Sequence, residues 1–204
     1  MDQNEKQLWI PSIIEETCNG TGIIPLEAKH LTDRKLFING PVTEGMADNM
    51  VSEFLYLADN DEPVDIYINS PGGSISDGLV IYDLIQNAPF EINIYCTGMA
   101  ASMGAVLLAC GAKGHRFILP HSKVMIHEPL IPGGLGGSAT SIKTAADSIM
   151  ETRSIVADIL SKHTGKSKKA ICKAISFDNY MNAEEAVAFG LCDEVRGLFG
   201  TQSV

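Results

Sequence analysis

From Lys35 onward, short apolar runs alternate with stretches whose apolar residues recur every three or four positions. KLFING (35–40) and VDIYIN (64–69) each predict a strand. Between them Met46, Met50, Phe54 and Leu57 share one face of a predicted helix over EGMADNMVSEFLYLAD (44–59). After the turn SPGGSISDG (70–78) comes a helix, LVIYDLIQNA (79–88), stopped by Pro89. FEINIYC (90–96) predicts the next strand, AASMGAVLLACGA (100–112) a helix, and HRFILP (115–120) and KVMIHEP (123–129) two short strands. Strand and helix in this rhythm imply βαβ units, hence an α/β fold with a mainly parallel sheet.

The Gly- and Pro-rich segment LIPGGLGGSAT (130–140) predicts a flexible loop or an irregular edge strand. SIKTAADSIMETRSIVADILSKHTG (141–165) then predicts one helix of about seven turns, closed by Gly165 and placed to project toward a neighbouring subunit. KSKKAICKAI (166–175) predicts a helix. SFDNYMNAEEAVAFGLCDEV (176–195) predicts a loop, a short helix capped by Asn182 and a closing strand. Residues 1–30 carry no clear period; IPSIIEETCNGTGIIPLEAKH (10–30) predicts two extended pieces about Asn19-Gly20, as a hairpin or a flexible arm. No internal repeat is visible.

Composition narrows the function. With 45% hydrophobic residues in 204, the chain can bury one substantial core. A formal charge of −10 argues against a non-specific binder of nucleic acid or of anionic membrane. Cys18, Cys96, Cys110, Cys172 and Cys192 are irregularly spaced with no metal-ligand pattern, which suits a reducing, cytoplasmic setting. The start, MDQNEKQLW, is polar and acidic where a signal peptide is basic and then apolar. Residues 92–112 are uncharged and long enough to span a bilayer, but Asn93, Thr97, Gly98, Ser102, Gly104 and Gly111 fit a strand, a tight turn and a buried helix better.

Two turns share one design: each follows a strand, opens a helix and is built of very small residues. They are NSPGGS, with Gly72 and Gly73, and GMAASMG, with Ser102. Such turns expose backbone N–H groups that can hold a phosphate or an oxyanion. Phosphate is the weaker reading, because no phosphate-loop or dinucleotide signature and no nearby lysine accompanies either turn. Ser102 has Ala100 at −2 and Gly104 at +2, a partial match to a nucleophile elbow; by itself it fits helix packing more simply. Of His30, His115, His121, His127 and His163, only His127 ends an apolar strand next to a Pro-stopped turn, where an α/β sheet presents functional groups. His163 lies near a helix C-terminus, which favours a cation. Asp77, Asp147, Asp178 and Asp193 all remain open as the carboxylate that would orient an imidazole.

YINSPGGSISDGLVIYD, GMAASMGAVLLACGAKGHRFILPHSKVMIHEP and AEEAVAFGLCDEV, in this order and spacing, resemble the ClpP family, the self-compartmentalising serine peptidase of the Clp protease. The resemblance covers about residues 33–195. It implies the ClpP/crotonase-like spiral of repeated ββα units with a protruding handle helix. The division it implies is an N-terminal arm or axial loop (1–30) and one peptidase domain (31–204), with a head (31–130 and 171–204) and a handle (131–170). Ser102 matches the family's nucleophile, His127 its base and Asp178 its orienting acid. Gly73 and Met103 match the oxyanion donors, and an extended substrate would lie between the segments at Ile75 and Leu130. No metal or other cofactor is implied. The implied partners are unfolded polypeptides, a hexameric AAA+ Clp unfoldase and heptameric rings stacked as a tetradecamer, without nucleic acid or membrane.

Three departures bear on assembly. The N-terminal stretch GTGIIPLEAKHLTDR (20–34) differs from the family's axial-loop and first-helix pattern. Ser176 and Phe177 replace the acidic residue and arginine that usually precede the catalytic aspartate. Gly136, Ser141 and Lys143 stand where glutamine and acidic residues are usual. The last two changes fall on one ring–ring interface, marking a divergent paralogue whose rings pack through the handle and Phe177 or pair with another ClpP paralogue. The competing readings are a membrane-linked or signal-peptide-type peptidase, which usually uses a lysine base, and a catalytically weak structural ring subunit.

Overall fold

The computed structural model describes residues 11–17, 20–131, 133–134 and 136–199. Within it the alternation of strand and helix becomes a mixed α/β fold: a mostly parallel seven-stranded sheet, a separate hairpin, and seven helices among the described residues. The strands β3 (Lys35–Asn39), β4 (Val64–Ser70) and β5 (Ile92–Ala101) are parallel neighbours, and helices α2 (Glu44–Leu57) and α3 (Ile75–Asn87) connect them. Val64, Ile66, Ile68, Ile92, Ile94 and Cys96 alternate onto the core face. On the opposite face Phe37, Tyr67, Tyr95 and Phe117 stack in a row across four strands.

Helix α2 buries Met50, Phe54 and Leu57, with Met46 partly covered. Helix α4 (Met103–Ala109), MGAVLLA, has every residue buried, so its absence of charge reflects the centre of the core and not lipid. No helix among the described residues is long and apolar enough to cross a membrane. The four described cysteines are free; Cys18 lies outside the described residues.

Beyond α4, β6 (Arg116–Ile118) and β7 (Lys123–Ile126) both pair with β5, at successive stretches of its length. Helix α5 (Ala139–Thr164) is the long helix read from the sequence, about 39 Å by its rise, with Gly165 in the left-handed conformation at its end. It buries residues only from Val156 onward, so its N-terminal two-thirds stands clear of the chain's own core. Helix α6 (Lys168–Ala174) and helix α7 (Ala183–Phe189) follow; Asn182 and Glu185 close a reciprocal capping box on α7. Strand β9 (Glu194–Val195) joins β6.

That last junction is clamped by Arg116, 3% exposed, whose guanidinium donates to Asp193 at 2.5 and 2.9 Å. Its Nη1 also donates to the carbonyls of Ala109, His163 and Gly190, tying together the ends of α4, α5 and α7. Burial alone would raise the Asp193 carboxyl, but the Arg116 guanidinium and the Gly114 and Arg116 amides outweigh it and hold it below the usual carboxylate range.

Several boundaries differ from the sequence expectation. Helix α3 starts at Ile75, four residues before the expected Leu79, because the Ser74 hydroxyl caps it by accepting from Asp77 N–H. Ala100 and Ala101 are not helical: β5 runs on through them, paired with Ser70 on one side and with β7 on the other. The register shifts between Ile68 and Ser70, and Asn69 Oδ1 accepts the Met99 N–H freed by the irregularity. A strand β8 (Asn179–Met181) replaces the expected loop. The N-terminal pieces form the hairpin β1 (Ser12–Thr17) and β2 (Gly20–Pro25), with Leu8, Trp9 and Asn19 outside the described residues. Helix α1 (Leu26–Thr32) follows it and runs through residue 30, where the arm was expected to end. The described part of the Gly-rich segment 130–138 contains no strand.

Candidate active site

Strand register brings the chemistry together. β5 and β7 are parallel with Ala101 opposite Met125, and β7 and β8 are antiparallel with Ile126 opposite Asn179. One residue past these pairs stand Ser102, His127 and Asp178, from three distant parts of the chain. Ser102 Oγ and His127 Nε2 are 2.8 Å apart, a short hydrogen bond. His127 Nδ1 and Asp178 Oδ1 are 3.4 Å apart, close enough for an ion pair and longer than a good hydrogen bond. The Asp178 side chain is 61% exposed, so this chain alone leaves the second contact open to water.

Ser102 is one of two non-glycine residues at positive φ among the described residues, with φ 53° and ψ −119°. Such a backbone costs about 1–3 kcal/mol. It is held from both sides: Ser102 N–H donates to Met125 C=O at 2.8 Å, and Ser102 C=O accepts from Ala105 and Val106 of α4. The strain turns the hydroxyl out of the strand-to-helix corner toward His127.

The glycine turn packs directly against this corner. A Cβ at Gly72 would lie 2.7 Å from both Ala101 O and Ser102 Cβ, and one at Gly73 would lie 2.3 Å from Val42 O. Both glycines also have positive φ, so side chains are excluded twice over. Val42 N–H donates to Gly72 C=O, and Ser74 N–H to Val42 C=O. Among the described residues, neither Gly73 N–H nor Met103 N–H donates to a protein acceptor. These amides therefore remain able to receive a developing negative charge.

Gly73, Ile75, Ser102, His127 and Leu130 all border one cleft of about 930 Å³, and among the described residues no Asp, Glu, Lys or Arg lines it. The far wall comes from the exposed part of α5, including Ile149 and Thr152. A narrower apolar pocket lies under Ser102, walled by Met103, Val106, Ile126, Pro129 and Leu160. Glu128, next to His127, is paired with Arg153 of α5 at 2.7 Å, which fastens the strand end to the long helix.

The other candidates lie elsewhere. His30 packs on Phe37, His115 bonds Asn93, and His121 is exposed in a turn. His163 bonds the Tyr82 hydroxyl at 3.1 Å. It is no helix-end cation: burial, with Lys162 and Arg116 adding to it, lowers its pKa to about 4. Asp193 belongs to Arg116, Asp147 pairs with Lys143, and Asp77 sits in the first turn of α3. The sequence offered no way to find Ser70, whose buried hydroxyl accepts the Gly72 N–H at 3.1 Å, because a lone serine at a strand end carries no signal.

Compared with known protein families, residues 22–197 match the model described as Clp protease. The match spans the cleft, both small-residue turns and Ser102, His127 and Asp178.

Proposed function

The chain belongs to the Clp protease family, and from that premise we propose that it is a working serine endopeptidase subunit with Ser102 as nucleophile, His127 as general base and Asp178 as orienting acid. The observation that carries this is the 2.8 Å Ser102–His127 contact at a strained corner beside two undonated amides. In the proposed reaction Ser102 Oγ attacks the peptide carbonyl carbon while His127 Nε2 takes the hydroxyl proton. The carbonyl oxygen becomes an oxyanion received by Gly73 and Met103 N–H. Collapse breaks the C–N bond, and the His127 proton goes to the leaving amine. Water then attacks the Ser102 ester and gives a proton to His127; the C–Oγ bond breaks, His127 returns the proton to Ser102 Oγ, and the acid product leaves.

The substrate is an unfolded polypeptide, extended between the Ile75 and Leu130 segments, with uncharged side chains in the cleft beside Ser102. Delivery falls to a hexameric Clp-type ATP-dependent unfoldase, and stacked heptameric rings in the cytoplasm enclose the site. The exposed part of α5 and Phe177, 84% exposed, supply apolar surface for the ring–ring contact.

A second reading is favoured by one observation, the open 3.4 Å contact to a 61% exposed Asp178. In that reading the subunit is catalytically weak until a second ClpP paralogue closes over Asp178. Hydrolysis of fluorogenic peptides by the purified chain, against Ser102→Ala and His127→Ala, decides between them. Turnover by the chain alone that both variants abolish supports the first reading. Turnover only on mixing with a second paralogue supports the other.

A further inference from the structure

We propose that Ser70 is a positioning residue for the oxyanion site, an inference that rests on the peptidase reading above. Ser70 is the last residue of β4 and fully buried, one of four buried polar or charged residues in the described chain. Its Oγ accepts the Gly72 N–H at 3.1 Å, closing a hydroxyl-capped turn two residues on. Gly72, at φ +90°, has no side chain to restrict its two backbone torsions. The peptide before Gly72 is held by Ser70, and the peptide after it by Val42 N–H on Gly72 C=O. Together these two bonds fix the torsions that place the next amide, Gly73 N–H.

Ser70 also touches the other arm of the site. A Cβ at Gly104 would lie 3.2 Å from Ser70 O and 3.3 Å from Ser70 Cβ, so the first turn of α4 packs on this residue. Ser70 pairs with Ala100 two residues before Ser102. One small hydroxyl residue is thus wedged between the turn that presents Gly73 and the helix that presents Met103. A larger side chain does not fit against Gly104. An alanine fits but leaves the buried Gly72 N–H with no acceptor, and the glycine turn is then free to rotate toward one.

The test uses the full chain in its assembled form with a matched pair of peptides, one ending in an aldehyde and one in the corresponding alcohol. The aldehyde carbon takes the Ser102 oxygen and forms a tetrahedral adduct whose oxygen sits at the oxyanion site; the alcohol cannot. For Ser70→Ala, kcat falls about 10- to 100-fold, less than the 10²–10³ expected for deleting a donor outright. Aldehyde affinity falls by the same factor, while KM and alcohol affinity stay within about twofold.

Unchanged kcat in Ser70→Ala, or equal losses of aldehyde and alcohol affinity, overturns the proposal, the latter marking a packing role alone. Wild-type chain that binds the aldehyde no better than the alcohol overturns the peptidase reading itself and this inference with it, so the two failures are told apart.

Discussion

Gly73→Ala is the sharpest perturbation of the proposed oxyanion site, because the space around Gly73 fixes its consequences. The added Cβ would lie 2.3 Å from Val42 O and 2.7 Å from Val42 N, both backbone atoms. A carbon and a carbonyl oxygen approach no closer than about 3.3 Å, so the turn has to retreat by about 1 Å. Val42 cannot yield freely, since it carries the bonds to Gly72 C=O and from Ser74 N–H, each 2.9 Å. The left-handed backbone adds about 1–2 kcal/mol for an L-residue and the overlap about 1–3, so stability drops by about 2–5 kcal/mol. Displacing one oxyanion donor by about 1 Å costs about 10²–10³ in kcat.

Gly114→Ala is the control: φ there is +92°, but nothing lies within 4 Å of the new Cβ. It carries the backbone strain without the clash, and its kcat stays at the wild-type level. Initial rates over a range of peptide concentration, alongside thermal melting, measure both effects. A Gly73→Ala enzyme with wild-type kcat, or a kcat loss equal to that of Gly114→Ala, refutes the assignment of Gly73 to the reaction.

Arg116→Met strands the Asp193 carboxylate and leaves three main-chain carbonyls without their donor; urea unfolding should show a loss of about 3–5 kcal/mol, and a loss below 1 contradicts the clamp. His163 is neutral in the folded chain down to about pH 4 and charges in the unfolded chain below its ordinary value of about 6.5. Its contribution is therefore complete above that value and declines as pH falls toward 4, by about 1–2 kcal/mol for a partly exposed ring. His163→Gln should flatten this segment of the stability–pH curve, and an unaltered slope refutes it. Asp178→Asn removes a charge 3.4 Å from the His127 ring; at the water-like end of the dielectric range this costs about 1–2 kcal/mol, or about 5- to 30-fold in kcat. An unchanged rate removes Asp178 from the mechanism, and a loss beyond about 10³-fold shows that the assembled rings shield it.

How much of this was legible beforehand depended on where each signal resides. The parallel sheet, the long α5 and the Asn182 cap followed from local pattern, because periodicity and capping are written in neighbouring residues. Ser102 and His127 were candidates for local reasons, a run of small residues and a strand end before Pro129, although Ser102 by itself fitted helix packing more simply and the family resemblance singled it out. By spacing alone Asp178 could not be separated from Asp77, Asp147 and Asp193, and only the family resemblance picked it out, because its place is set by the register of β8 on β7, and β8 is only three residues long. The strand character of Gly98–Ala101 was equally hidden: those residues have little β-propensity and are held extended by β4, β7 and the Asn69 side chain. The same non-local origin hides the role of Ser70 and the neutral state of His163.

The central claim is that Ser102 is the nucleophile, and covalent capture tests it most directly. The assembled chain is treated with a fluorophosphonate, its intact mass is measured, and the modified peptide is located by fragmentation. One adduct per chain on Ser102, absent from Ser102→Ala and strongly slowed in His127→Ala, is the predicted result. An adduct that persists in Ser102→Ala, or a chain that remains unmodified in every assembly state, contradicts it.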